Sequence, residues 1–166
     1  AYRRAARQLH PDKAVIDGDG VTTNDPLLVD PIYLTAASRG CPFHCSFCHN
    51  STMRQLHKGK GRYWRLRPVD DVMRDIERVK ELGFSGFYLL DDNIVSNPSF
   101  LAELCDRITP LGMTWASQCS LNLARNSRLL DKVARSGCNL LSLGLESISQ
   151  EGLDGVGKPW VKAREH

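Results

Sequence analysis

The 166-residue chain has no run of about 18 consecutive apolar residues, so no membrane-crossing helix is read from it. Its first residues, Ala1-Tyr2-Arg3-Arg4, are basic but have no apolar stretch behind them, which excludes a secretory signal there. Charge of one sign is scarce. Lys and Arg number 22 against 19 Asp and Glu, a net +3, too little by itself to argue for nucleic acid. Low-complexity repeats and heptads are absent. With 42% hydrophobic and 25% charged residues, the composition is that of a globular domain, not of a disordered or fibrous chain. What the chain does have is cysteine, six of them. Without a secretory signal, the expected compartment is reducing, the cytoplasm. There, clustered thiols mean metal or catalysis rather than disulfides.

Residues 1–31 are polar and interrupted by Pro11, Pro26 and Pro31, and read as a linker or arm with a short helix near Arg3–Leu9. Ile32–Ala37 is a short apolar run with the look of a buried strand. Cys41–Asn50 reads as a cysteine-rich loop. Ser51–Arg67, carrying Arg54, Lys58, Lys60, Arg62, Arg65 and Arg67, reads as a basic, mobile, solvated segment, with a phosphate-bearing substrate or an anionic partner as the sharper reading. Three similar units follow. Val69, Val72, Met73, Ile76, Val79 and Lys80 share one helical face between Pro68 and Gly83, and a strand Gly86–Leu90 ends in Asp91-Asp92-Asn93. A second helix opens at Asn97-Pro98 and stops at Gly112, before a strand Met113–Ser117 that ends near Gln118. A third opens near Asn126-Ser127 and stops at Gly137, before a strand Asn139–Leu145 that ends in Glu146-Ser147. Alternation of this kind argues for an α/β fold with a parallel sheet, helices outside it, and ligand-binding groups along one strand-end edge.

The chemistry sits in Cys41-Pro-Phe-His-Cys45-Ser-Phe-Cys48. Three thiols in eight residues are too close for a helix or strand to bury together, but a loop folds them around one centre. Thiolates select zinc, copper(I) or iron–sulfur clusters. Structural zinc wants four ligands in a closed tetrahedron, so a fourth would have to come from His49, His44 or a distant cysteine. Three cysteines on a cubane cluster instead leave one iron open, which points to catalysis rather than electron storage.

The CxxxCxxC spacing, with Phe47 before the last cysteine, resembles the cluster loop of the radical S-adenosylmethionine (radical SAM) superfamily. The wider string Ser38-Arg39-Gly40-Cys41 through Cys48 resembles most its cobalamin-associated branch, as do Leu90-Asp91-Asp92-Asn93 and Gly144-Leu145-Glu146-Ser147. The resemblance spans roughly residues 32–158. It implies a partial (β/α) TIM-like barrel, here about four β/α units forming the N-terminal part of a core domain over residues 32–166. It implies that Cys41, Cys45 and Cys48 hold a [4Fe-4S] cluster whose fourth iron is chelated by S-adenosylmethionine. The reduced cluster then yields a 5′-deoxyadenosyl radical that attacks a substrate. Phe47 matches the aromatic position near the adenine. Asp91 and Asp92 fall where many members carry Gly-Gly-Glu to orient the methionyl ammonium, although the glycines are missing here. Glu146 and, more weakly, Gln118 match strand-end contacts to the cofactor. The implied partners are a small-molecule substrate, an electron donor and cobalamin held by a domain outside this chain, with no clear nucleic acid.

Cys105 is expected in the core and Cys138 is expected to be buried, with Cys119 left open; Trp64 and Trp115 are expected to pack. His44 and His49 are expected beside the ligands rather than among them. A four-strand sheet would leave Leu140-Leu141-Ser142-Leu143 at an open edge. With alanine rather than methionine first, the expectation is a fragment that holds a cluster but turns over substrate poorly. Three functions compete: a radical SAM enzyme of methylation or cyclisation, a methylthiotransferase-like enzyme, which Leu-Asp-Asp-Asn fits less well, and a non-catalytic zinc-binding interaction module.

Overall fold

The computed structural model describes residues 33–165. The arm expected at 1–31, with its helix near Arg3–Leu9, lies outside the described residues. Six strands and five α-helices follow one another. They are β1 (Tyr33–Thr35), β2 (Ser38–Arg39), α1 (His49–Leu56), β3 (Arg65–Leu66), α2 (Val69–Glu81), β4 (Gly86–Leu89), α3 (Pro98–Ile108), β5 (Thr114–Cys119), α4 (Ser127–Arg135), β6 (Cys138–Leu143) and α5 (Gln150–Gly155). β1, β4, β5 and β6 form one parallel sheet in that order, and β2 and β3 form a separate antiparallel ribbon. The repeated helix–glycine–strand units thus build the parallel sheet expected of them.

The three helices read from the sequence are delimited by the chemistry it advertised. α2 follows Pro68, carries Asp70 and Asp71 in its first turn and Arg78 and Lys80 in its last, which complements the helix dipole. The Asn97 side chain accepts from the Phe100 N–H (3.1 Å), and Asn126 does the same for Leu129 (3.0 Å), so α3 and α4 have capped starts. Gly137 must be glycine: its φ is +90°, and a Cβ there would lie 2.1 Å from the Met113 carbonyl oxygen.

Packing fills one face of the sheet. Phe87, Leu89 and Trp115 point into a core closed by Val72, Ile76 and Val79 of α2, Leu101, Leu104 and Ile108 of α3, and Val133 of α4. Trp115 is 1% exposed, and its indole N–H donates to Ser136 Oγ (3.0 Å), so its burial strands no donor. Lys80, which helical spacing puts on the apolar face of α2, is exposed and donates to the Leu111 carbonyl (2.8 Å). The opposite face is open at its two edges. Leu34, Tyr88, Ala116 and Leu140 are in register across it, and Leu34 and Leu140 remain 57% and 58% exposed. β6 is an edge strand among the described residues, as expected.

Two expectations need correction. Ser51–Arg67 is not an irregular mobile loop: its first third completes α1, and its end forms β3, paired to β2 through Ser38↔Leu66 and Arg39↔Arg65. The elements were missed because α1 buries only Asn50 and the ribbon strands have two residues each, so neither shows an apolar period. Cys138 is half-buried rather than buried, because it starts the edge strand.

Candidate functional site

All the strand-end segments of the parallel sheet open on one side, and there the cysteine loop closes over them. Cys41, Cys45 and Cys48 line a cavity of about 240 Å³ together with Phe43, Phe47, His49 and Asn50 of the loop and its helix. Asp92 and Asn93 after β4, Gln118 and Ser120 at the end of β5, and Ser142, Gly144 and Glu146 from β6 onward form the remaining wall with Lys158 and Trp160.

The loop turns because Cys45 spends its carbonyl twice. It accepts from the Cys48 N–H (3.1 Å) and from Ser51 Oγ (2.7 Å), folding the last two cysteines into one turn. Cys48 then occupies the cap position of α1 with extended backbone. The other side of the loop is strapped by the segment after α5. The Ser46 N–H donates to the Val156 carbonyl (2.9 Å), and Gly157, at φ +69°, comes so near that a Cβ would lie 3.0 Å from the His44 carbonyl oxygen.

Asp91 and Asp92 diverge. Asp91 is 1% exposed and does not line the cavity; its carboxylate accepts from the Ala37 N–H (2.9 Å) and from Ser38 Oγ. It fixes the start of the segment leading into the cysteine loop. Burial, first of all, pushes its carboxyl up, against the hydrogen bond from Ser38. Asp92 is the acid on the cavity wall. Asn93 is a cross-brace: its side chain accepts from the Ser120 N–H (3.0 Å) and donates to Ser120 Oγ (3.3 Å), locking two strand ends together.

Glu146 lies on the wall, three residues past the end of β6, in left-handed backbone at φ 58°. A non-glycine residue held there costs about 1–3 kcal/mol and persists where its surroundings fix it. Here Lys158, 4% exposed, supplies the fixing contact: its ammonium donates to the Glu146 carboxylate and to the Gly144 carbonyl (2.7 Å). Trp160 lies beneath that ammonium (5.4 Å) and stacks on Phe43 (3.8 Å). Gln118 is on the wall but inside β5, which runs two residues further than its apolar run. Phe47 stands at the rim, 55% exposed.

Spacing and strand-end logic pointed to Cys41, Cys45, Cys48, Asp91, Asp92, Gln118 and Glu146, and the family resemblance to Phe47; the fold gathers all of these on one cavity except Asp91, which it turns away. Lys158 and Trp160 were missed. They sit in Gly157-Lys158-Pro159-Trp160, a stretch with no apolar period to mark a buried cation or the half-exposed acid it meets.

Three free thiols from one loop on one cavity are a donor set that fits an iron–sulfur cluster. Zinc holds thiolates about 2.3 Å away, which crowds its ligands together. A cubane spreads three cysteines over a wider triangle. All six cysteines are free. Burial pushes the Cys41 thiol up to about 11, with Asp92 and the other two thiols adding, and burial also raises Cys45, against Lys158. Cationic iron held there would reverse that preference by stabilising thiolates. Cys119 lines the same cavity but is buried, and its thiol donates to the Ser120 carbonyl (3.1 Å).

Known proteins are similar to this chain in sequence and in fold. A bacteriochlorophyllide d C-12(1)-methyltransferase of Chlorobaculum tepidum is 33% identical over 125 residues, which is 74% of this chain and 26% of that protein. A bacteriochlorophyllide d C-8(2)-methyltransferase of the same organism is 31% identical, over 81% of this chain and 30% of that protein. The chain therefore spans between a quarter and a third of the length of these curated relatives. Among solved structures, the radical S-adenosylmethionine methyltransferase TsrM of Kitasatospora setae, with cobalamin and a [4Fe-4S] cluster bound, has a TM-score of 0.69 at 17% identity, covering 81% of this chain and 27% of that one. Residues 36–165 match the Radical SAM superfamily, a family that uses a [4Fe-4S] cluster and S-adenosylmethionine, and this chain belongs to it.

Proposed function

We propose that this chain is the cluster-bearing part of a radical SAM enzyme that modifies a small molecule, with methylation, dependent on cobalamin bound by a domain outside the chain, as its chemistry. The observation that carries this reading is the convergence of three free thiols from one short loop on a cavity walled by strand-end polar groups. Cys41, Cys45 and Cys48 hold the cluster. When bound, the cluster supplies the electron that cleaves the sulfonium C–S bond of S-adenosylmethionine. The chain's own residues position and shield. Asp92 meets the cationic amino group of the methionyl moiety. Glu146, held by Lys158, and Gln118 take polar contacts further along the wall. Phe47 covers the adenine at the rim. The methyltransferases among the relatives favour methylation over cyclisation or methylthiolation. Residues 1–31 act as a linker into a core of residues 32–166. An electron-donor protein reduces the cluster, and the thiols stay reduced because the chain works in the cytoplasm. No helix among the described residues is long and apolar enough to cross a membrane.

Anaerobic reconstitution with iron and sulfide tests the reading. Four irons and four sulfides per chain are expected, with a cluster signal that changes when S-adenosylmethionine is added. A Cys45→Ala variant should lose both. One tightly held zinc per chain with no sulfide would overturn the reading in favour of a zinc-binding module.

A further inference from the structure

The basic segment after the cysteine loop is built onto that loop by a chain of polar contacts that ends on a sulfur. Asn50, on the first turn of α1, is 4% exposed and lines the cavity. Its side-chain N–H donates to Cys48 Sγ (3.7 Å). Its other end, Oδ1, accepts from the Tyr63 hydroxyl. An amide has one donor end and one acceptor end, so a hydroxyl donating to the oxygen leaves the N–H₂ end for the sulfur. Tyr63 is held in turn. The Arg54 guanidinium lies over its ring (5.1 Å) while donating to the Cys41 carbonyl, and the His57 ring meets it edge-on (5.9 Å). Tyr63 stands two residues before β3, whose pairing with β2 brings the segment back to the start of the cysteine loop.

We infer that Asn50 tunes the reduction potential of the cluster through its hydrogen bond to Cys48 Sγ, and that Tyr63 is the positioning residue that sets the orientation of the Asn50 amide. The inference rests on the cluster assignment proposed above. A hydrogen bond to a ligating sulfur draws charge away from it and so favours the more electron-rich, reduced cluster. Asn50 therefore makes the cluster easier to reduce. The segment between α1 and β3 thereby gains a role, through Arg54 and Tyr63, that its sequence, taken as a solvated loop, did not disclose.

The test is a redox titration of the reconstituted full chain, followed by electron paramagnetic resonance of the reduced cluster, with iron and sulfide content measured on every sample. Asn50→Ala should shift the potential more negative, by about tenfold in the reduction equilibrium, which is about 59 mV for a one-electron couple. Tyr63→Phe should shift it in the same direction by less. The double variant should match Asn50→Ala alone, because Tyr63 acts only through Asn50. Fully loaded Asn50→Ala with the wild-type potential overturns the inference, as do single shifts that add in the double variant. Should Asn50→Ala not retain a cluster, Tyr63→Phe decides, and an unshifted potential there overturns it. A wild-type chain that takes up no iron and sulfide overturns the cluster assignment itself, and that result is distinct from an unshifted potential.

Discussion

The six cysteines divide into two trios with the same side chain and opposite circumstances. Cys41, Cys45 and Cys48 sit half-buried on a loop that other parts of the chain hold in shape. Cys105, Cys119 and Cys138 belong to α3, β5 and β6, where regular backbone and apolar neighbours place them. Burial raises the thiol of Cys119 to about 12 and that of Cys138 to about 11. Within the first trio, Cys45 has the opposing charge of Lys158 beside it, whereas Cys119 has none to offset its burial. Cysteine chemistry here follows from the support around the thiol, which for the loop is long-range and for the core is packing.

The sharpest way to break this comparison is to remove one thiol from each trio. Cys41→Ala or Cys48→Ala should abolish cluster uptake, read as iron and sulfide per chain. Cys105→Ala should load as the wild type does and lose about 1 kcal/mol in urea denaturation. Equal loss of iron from both would erase the distinction.

The supports of the loop come next. Asp91→Ala leaves the Ala37 N–H and the Ser38 hydroxyl without a buried acceptor, at a cost of about 1–3 kcal/mol. Asp91→Asn should cost less, since it keeps one acceptor, and denaturant midpoints of the two variants check the order. Gly157→Ala forces a side chain into left-handed backbone against the His44 carbonyl, and should cost about 1 kcal/mol or more. Its cluster occupancy should fall while the reactivity of the core thiols stays unchanged, measured by iron content and by alkylation of Cys119.

The smallest effect is one of pH. The thiols of Cys119, which is buried, and Cys138, which is half-buried, hold their protons to higher pH folded than unfolded. Their contribution to stability is whole below the ordinary thiol pKa of 9.0, and drains away as pH rises through about 11 and 12. Denaturation midpoints should fall over that window, and fall less in a Cys119→Ala variant. Alkylation of Cys119 at pH 8 should be slow in the folded chain and fast in urea.

Much of this was legible in the residues. The apolar spacing of Val72, Met73, Ile76 and Val79 and the caps Asn97 and Asn126 marked helices where helices are found, since one-sided burial leaves a period that needs no tertiary knowledge. The helix–glycine–strand order implied a parallel sheet, and the sheet order β1-β4-β5-β6 follows chain order. α1 and the β2–β3 ribbon left no such trace, because their partners are polar groups and short backbone pairs.

The sequence by itself determined that three cysteines share one loop and the edge on which that loop would lie: three cysteines in eight residues can meet only on a loop, and parallel strands put their ends together. Only the tertiary structure decided which neighbours serve that centre. It turned Asp91 inward and left Asp92 on the wall, paired Glu146 with a lysine twelve residues later, and set Asn50 against Cys48 under Tyr63. The physical reason is that a period records burial against a face, whereas a hydrogen bond between distant segments depends on where the fold brings two polar atoms, and no local pattern encodes that meeting.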